Sequence, residues 1–102
     1  MTIDSTQKKQ DVITVRLVIG GKVQGVFFRS SLKSVADVLS VHGWTKNLYD
    51  GTVEALLQGP EVQVCKVIEW CHVGPRNSRV DFVNQQLVDN SLEIYRNFVI
   101  LT

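Results

Sequence analysis

Twice along this chain the spacing of apolar residues changes from every second residue to the stripe of a helix and back. Ile13, Val15, Leu17 and Ile19 alternate with Thr14, Arg16, Val18 and Gly20, the period-two pattern of a strand with one firmly buried face. Leu32, Val35, Ala36 and Leu39 then fall at i, i+3, i+4 and i+7, which predicts a helix over about Ser30 to Val41, ending before Gly43. "GWTKNLYDGTVEALLQG", Gly43 to Gly59, reads as two strands around Asp50-Gly51, a dipeptide suited to the positive φ angles of a tight hairpin turn. Gly59-Pro60-Glu61 opens a second helix, with proline near its first position and a carboxylate in its first turn. Val64, Val67, Ile68 and Cys71 form its stripe, and Gly74-Pro75 stops it. Two more strand-like runs, about Val80 to Leu87 and Leu92 to Ile100, flank the turn-forming Asp89-Asn90-Ser91. The order is βαββαβ with an additional C-terminal strand. It predicts an α+β sandwich with two helices on one face of a mostly antiparallel sheet, the ferredoxin-like arrangement.

A chain of 102 residues with 44% hydrophobic content fits one core and has no room for a second. We expect a single domain over residues 12–102 behind a polar, flexible and dispensable N-terminal tail, residues 1–11. The formal charge of +1 supplies no field that would draw the whole protein to nucleic acid or to a membrane, so any anion must be bound locally. No apolar run is long enough to span a bilayer and the N-terminal stretch has no hydrophobic signal region, so a cytoplasmic location is expected. Cys65 and Cys71 lie six residues apart in a predicted helix, roughly 9 Å along its axis, too far for a disulfide. With His72 they would scatter metal ligands over different helix faces, so Cys71 is read as a core residue.

Between the first strand and the first helix lies "GGKVQGVFFRSS", Gly20 to Ser31. A loop entering a helix points unpaired N–H groups outward and the helix dipole adds partial positive charge, so the place favours an anion. Gly20, Gly21 and Gly25 let the backbone bend sharply and approach a ligand. Arg29 adds a planar fork of donors at the helix start, where a cation without an anion costs about 0.3–1 kcal/mol. A surface arginine beside an ordinary glycine turn accounts for the same residues equally well. Neither GxxxxGK[ST] nor GxGxxG is present, so no nucleotide is implied.

Two segments, "GKVQGVFFR" (Gly21 to Arg29) and "GWTKNLYDGTVEALLQG" (Gly43 to Gly59), resemble the paired signatures of the acylphosphatase family at the family's spacing. The resemblance runs from about Val12 to Ile100, and "GPRNSRVDFV" and "YRNFVI" are similar to the family's later strands. Thr45 and Ser78 depart from it, standing where small apolar residues are usual. The resemblance implies that the backbone of Val23, Gln24, Gly25, Val26, Phe27 and Phe28 cradles phosphoryl oxygens and that Arg29 binds them through its guanidinium. It gives Asn47 the task of orienting the attacking water. From its place in a strand beside a hairpin alone, Asn47 reads as a surface or turn-supporting residue. The implied activity is hydrolysis of a small-molecule acyl phosphate by a monomer, without metal or other cofactor, with inorganic phosphate as product and competitive inhibitor.

Sparse machinery suits that chemistry. The leaving group of an acyl phosphate is a carboxylate, stable once expelled, so cleavage at phosphorus needs little general acid, and a loose transition state rewards positioning and charge stabilisation. No histidine–carboxylate cluster or loop cysteine accompanies the glycines. His42 and His72 fall near predicted helix ends, where structural or dipole-related roles are expected. Lys22 and Lys46 are read as solvated and are given no catalytic role. An RNA-recognition module shares the βαββαβ order but stacks bases on strand aromatics, which "ITVRLVI" and "TVEALLQ" lack. The remaining alternative is a catalytically silent anion-binding or regulatory module of the same fold, such as the related domain of larger hydrogenase maturation factors.

Overall fold

β1 (Val12–Lys22) is the strand on which the sheet is assembled, pairing antiparallel with β3 (Val53–Pro60) on one side and with β4 (Arg79–Val88) on the other. β2 (His42–Asn47) lies antiparallel to β3, and β5 (Phe98–Ile100) pairs parallel with β2, giving a five-stranded sheet in the order β4-β1-β3-β2-β5. The helices are α1 (Phe28–Val38) and α2 (Glu61–Val73). These elements come from a computed structural model that describes residues 11–89 and 93–101. The α+β ferredoxin-like architecture expected from the periodicities is the one observed.

One face of the sheet meets both helices. Leu17 and Ile19 of β1 and Val53, Ala55 and Leu57 of β3 are fully buried in a cluster with Leu32 and Ala36 of α1 and Val64, Val67 and Cys71 of α2. Phe28, at the start of α1, sets its ring 5.3 Å from that of Trp70 in a tilted pair, so the first turn of α1 is pinned against α2. Burial of this stripe, rather than helix propensity, holds α1 in place.

Several boundaries differ from the sequence expectation, each for a local reason. α1 starts at Phe28 rather than Ser30 because Phe27, in the left-handed conformation, already acts as its N-cap. It stops at Val38 rather than Val41 because Ser40 takes a positive φ of 57°. Ser40 N–H then donates to Asp37 O at 3.2 Å and Val41 N–H to Ala36 O at 2.9 Å, the two bonds of a Schellman ending with buried Val41 as its hydrophobic contact. The hairpin is not a two-residue turn on Asp50-Gly51. Gly51 N–H donates to Leu48 O at 3.2 Å and Leu48 N–H to Thr52 O at 2.9 Å, so Tyr49 and Asp50 form the turn and Gly51 (φ 92°) supplies the positive φ that returns the chain to β3.

The last strand is also shorter than the run Leu92 to Ile100. Residues 93–97 are assigned to no strand; side chains take up backbone groups of Glu93 and Tyr95, and Asn97 O accepts from Gly43 N–H at 2.9 Å. Gln58 donates to Glu93 O at 2.9 Å and accepts from Tyr95 N–H at 2.8 Å, while His42 Nδ1 lies 3.0 Å from Tyr95 O. His42 therefore belongs to the start of β2, not to a helix end, whereas His72 does lie in the last turn of α2. Most of the expected turn Asp89-Asn90-Ser91, and residues 1–10 of the expected tail, lie outside the described residues. Asp11 accepts at its carbonyl from Glu61 N–H at 3.0 Å, at the entrance to α2.

Candidate active site

The loop from Val23 to Phe27 joins β1 to α1 without regular structure. Gly25 (φ 77°) has open space where a Cβ would sit, so its glycine serves the backbone turn rather than relieving crowding. Phe27, at φ 62° and ψ 28°, holds a conformation that costs an L-residue about 1–2 kcal/mol. Among the described residues the N–H groups from Gln24 to Phe28 donate to no acceptor, and α1 has neither a side-chain cap nor an acidic residue in its first turn. The first helical bond is Ser31 N–H to Phe27 O at 3.0 Å, which leaves the amides before it free. Unpaired amides, a helix N-terminus and the Arg29 guanidinium thus converge without a counter-charge.

Arg29 is half-buried, and its Nη1 donates to Leu101 O at 3.4 Å, a long contact that tethers the guanidinium toward the segment following β5 while its other donors have no partner among the described residues. An open cleft of about 410 Å³ is lined by Val23, Gly25, Phe27, Phe28, Arg29, Ser30, Asn47 and Ile100. The fold therefore brings together the two residues singled out from separate segments, Arg29 on α1 and Asn47 at the end of β2.

Asn47 pairs with Val53 across the hairpin, yet its side chain does not support the turn. Asp50 does that, accepting from Thr52 N–H at 3.0 Å and from the Thr52 hydroxyl at 2.6 Å, bonds that hold its carboxyl below the usual carboxylate range. Asn47 Oδ1 is instead buried without a hydrogen-bond partner among the described residues. A buried acceptor left unpaired costs about 1–3 kcal/mol, so the position favours a donor arriving from outside the protein.

Sequence reasoning treated Gln24 as backbone only. Its side-chain amide donates to Leu48 O and to Thr52 O, both at 2.9 Å, and so ties the loop to the hairpin that carries Asn47. A glutamine inside a glycine loop was the available signal. Lys46 is engaged elsewhere, 3.7 Å from Glu54 Oε1 and 5.5 Å from the Trp44 ring centre, and Lys22 ends β1 exposed. The departures at Thr45 and Ser78 are internally satisfied: Thr45 Oγ1 donates to Glu54 O at 2.9 Å and Ser78 Oγ to Pro75 O at 2.6 Å. Cys71 is buried and Cys65 exposed, and among the described residues no three His, Cys, Asp or Glu side chains gather as metal ligands. No helix of the described residues is long and apolar enough to cross a membrane.

The Acylphosphatase family profile matches residues 15–100 of this chain. An acylphosphatase of Pyrobaculum calidifontis is 56% identical over 75 residues, spanning 71% of this chain and 68% of that protein. One of Pyrobaculum aerophilum is 45% identical over 92 residues, 89% of this chain and 96% of that one. The solved structure of an acylphosphatase from Coxiella burnetii superposes with a TM-score of 0.84 at 33% identity, covering 99% of this chain and 100% of the other.

Proposed function

The chain belongs to the acylphosphatase family and is an acyl phosphate hydrolase, and from that premise we propose how its cleft performs the reaction. The phosphoryl group lies in the loop, its peripheral oxygens accepting from the free amides of residues 24–28 and from the Arg29 guanidinium. Water donates one hydrogen to Asn47 Oδ1, which fixes it for in-line attack. The observation that carries this reading is the unpartnered, buried Oδ1 in the same cleft as Arg29 and the uncapped helix start.

As the bond from the water oxygen to phosphorus forms, the bridging phosphorus–oxygen bond breaks and its electron pair leaves on the carboxylate. Both water protons finish on the phosphate, so an acyl phosphate dianion and water give a carboxylate and dihydrogen phosphate. No side chain has to hold a proton, because the expelled carboxylate is weakly basic. The protein contributes position and fixed positive charge, which stabilise a loose transition state.

The test is hydrolysis of benzoyl phosphate or acetyl phosphate by the purified protein, with and without excess chelator and with added inorganic phosphate. We expect turnover that is insensitive to chelator and competitively inhibited by phosphate. Activity lost to EDTA and restored by a metal ion would overturn the metal-free mechanism. Phosphate binding without turnover would identify a silent anion-binding module instead.

A further inference from the structure

Arg29, Lys33 and Asp37 follow one another at four-residue steps along α1 and so share one side of the helix. That side meets the end of the chain. Arg29 Nη1 donates to Leu101 O at 3.4 Å, while Lys33 Nζ donates to Phe98 O at 2.9 Å and lies 3.0 Å from Asp37 Oδ2. The two basic side chains therefore clamp the helix to β5 and to the residue that follows it.

β5 has little else to fix it on the helix side. It has three residues, stands at the edge of the sheet and pairs with β2 alone. Asn97 O accepts from Gly43 N–H at 2.9 Å and Leu101 N–H donates to Thr45 O at 2.8 Å. Successive residues of a strand turn their backbone groups to opposite sides, so Phe98 O faces away from β2, toward the open edge. Lys33 supplies the donor that a further strand would have given. The Phe98 ring is buried, whereas Val99 and Ile100 are exposed, so apolar burial anchors only the start of β5. Leu101 O, beyond its end, is the one protein acceptor of the Arg29 guanidinium among the described residues.

We propose that Lys33 is a positioning residue for phosphoryl binding: by holding β5 against α1 it fixes Leu101 O, and through it the direction of the Arg29 guanidinium, a role that rests on the phosphoryl-binding reading of the loop. Lys33 itself is not among the residues that line the cleft. A planar fork binds an oxyanion well over a narrow range of directions, so the acceptor that turns it also sets its affinity. The ion pair with Asp37 joins two half-exposed side chains and contributes little.

Phosphate affinity, read by NMR titration that follows weak as well as tight binding, tests this in Lys33→Met, in Arg29→Ala and in the double variant, with Lys33→Gln in place of Lys33→Met should the latter misfold. Loss of the ammonium should weaken phosphate by about tenfold, a coupling usual for neighbouring groups, and Lys33→Arg should restore most of it. In the Arg29→Ala background the same loss should change affinity by less than about twofold, because the group that Lys33 aims is gone. Asp37→Asn, which removes the ion pair alone, should leave affinity unaltered. An equal effect of Lys33→Met with and without Arg29 would overturn the positioning role and show a charge acting on phosphate directly. A lowered melting temperature with unaltered phosphate affinity would overturn it too, leaving a clamp that serves stability alone. Weakened binding in Arg29→Ala but not in Lys33→Met would remove the role of Lys33 and keep the phosphoryl-binding reading, whereas no binding by the unaltered protein would remove both.

Discussion

Gln24 and Leu48 are joined by a 2.9 Å hydrogen bond from the glutamine amide to the leucine carbonyl, and the same nitrogen reaches Thr52 O at 2.9 Å. The loop from Val23 to Phe27 and the hairpin bearing Asn47 are therefore tied directly to each other by one side chain. Gln24→Glu keeps the shape but replaces the donor with oxygens that face two carbonyls. We expect it to lower kcat by more than it weakens phosphate inhibition, and to lose about 1–3 kcal/mol of stability. A variant with unaltered kcat and melting temperature would show that the tether sets nothing.

Arg29→Lys keeps the charge and loses the two-pronged geometry. Charge-assisted bonds of this kind are worth about 1.5–3 kcal/mol each, so phosphate inhibition and turnover should both fall steeply in a protein that still folds. Steady-state kinetics with phosphate as competitor checks this. Near-normal KM and kcat would remove Arg29 from the site.

Asn47→Ala removes an amide that, on the proposed mechanism, holds the water and scarcely touches bound phosphate. A group acting in the transition state alone lowers kcat and kcat/KM together, by an amount on the order of 3–4 kcal/mol for one oriented hydrogen bond. Since Asp50 and Thr52 support the turn, melting temperature should change little. Unchanged kcat with a depressed melting point would refute the water-orienting role.

Cys71 gives a pH prediction. Burial pushes its thiol up from 9.0 to about 12, so the folded protein keeps the proton after the unfolded chain has lost it. Stability is unaffected below pH 9 and should fall between 9 and 12 by up to about 1.4 kcal/mol per pH unit from this group. Denaturant titrations at pH 8 and pH 10.5 on the unaltered protein and on Cys71→Ala measure it. An equal pH dependence in both would show that Cys71 is not responsible.

The fold was legible because its apolar stripes are long and regular, and the apolar runs in β1, β3, α1 and α2 carry most of the burial. What was not legible depended on single residues in uncommon roles. Ser40 ends a helix that was expected to run on toward Gly43, Phe27 caps one from the left-handed region, and Gln58 with His42 replaces a strand ladder over residues 93–95. Arg29 was already an even candidate from its loop and helix start, whereas Asn47 was readable as one only through the paired motifs. The link through Gln24 and the cleft lining contributed by Phe27 and Ile100 needed coordinates, because they join segments that are distant in sequence.

The pairing of β1 with β3 and β4, strands from the middle and later parts of the chain, predicts an order in time. Among the described strands only the β2–β3 hairpin joins sequence neighbours, so it closes a short loop, while β1 needs longer closures whose entropy is recovered later. On that expectation Asn47 lies on the part that forms early, and Arg29 beside β1, whose pairings form later. A refolding chain should thus bring Asn47 into its native setting before Arg29 and the loop that precedes it. Recovery of phosphate binding in stopped-flow refolding should lag behind hairpin formation, and a substitution in β4 should delay the cradle without delaying the turn that follows Asn47.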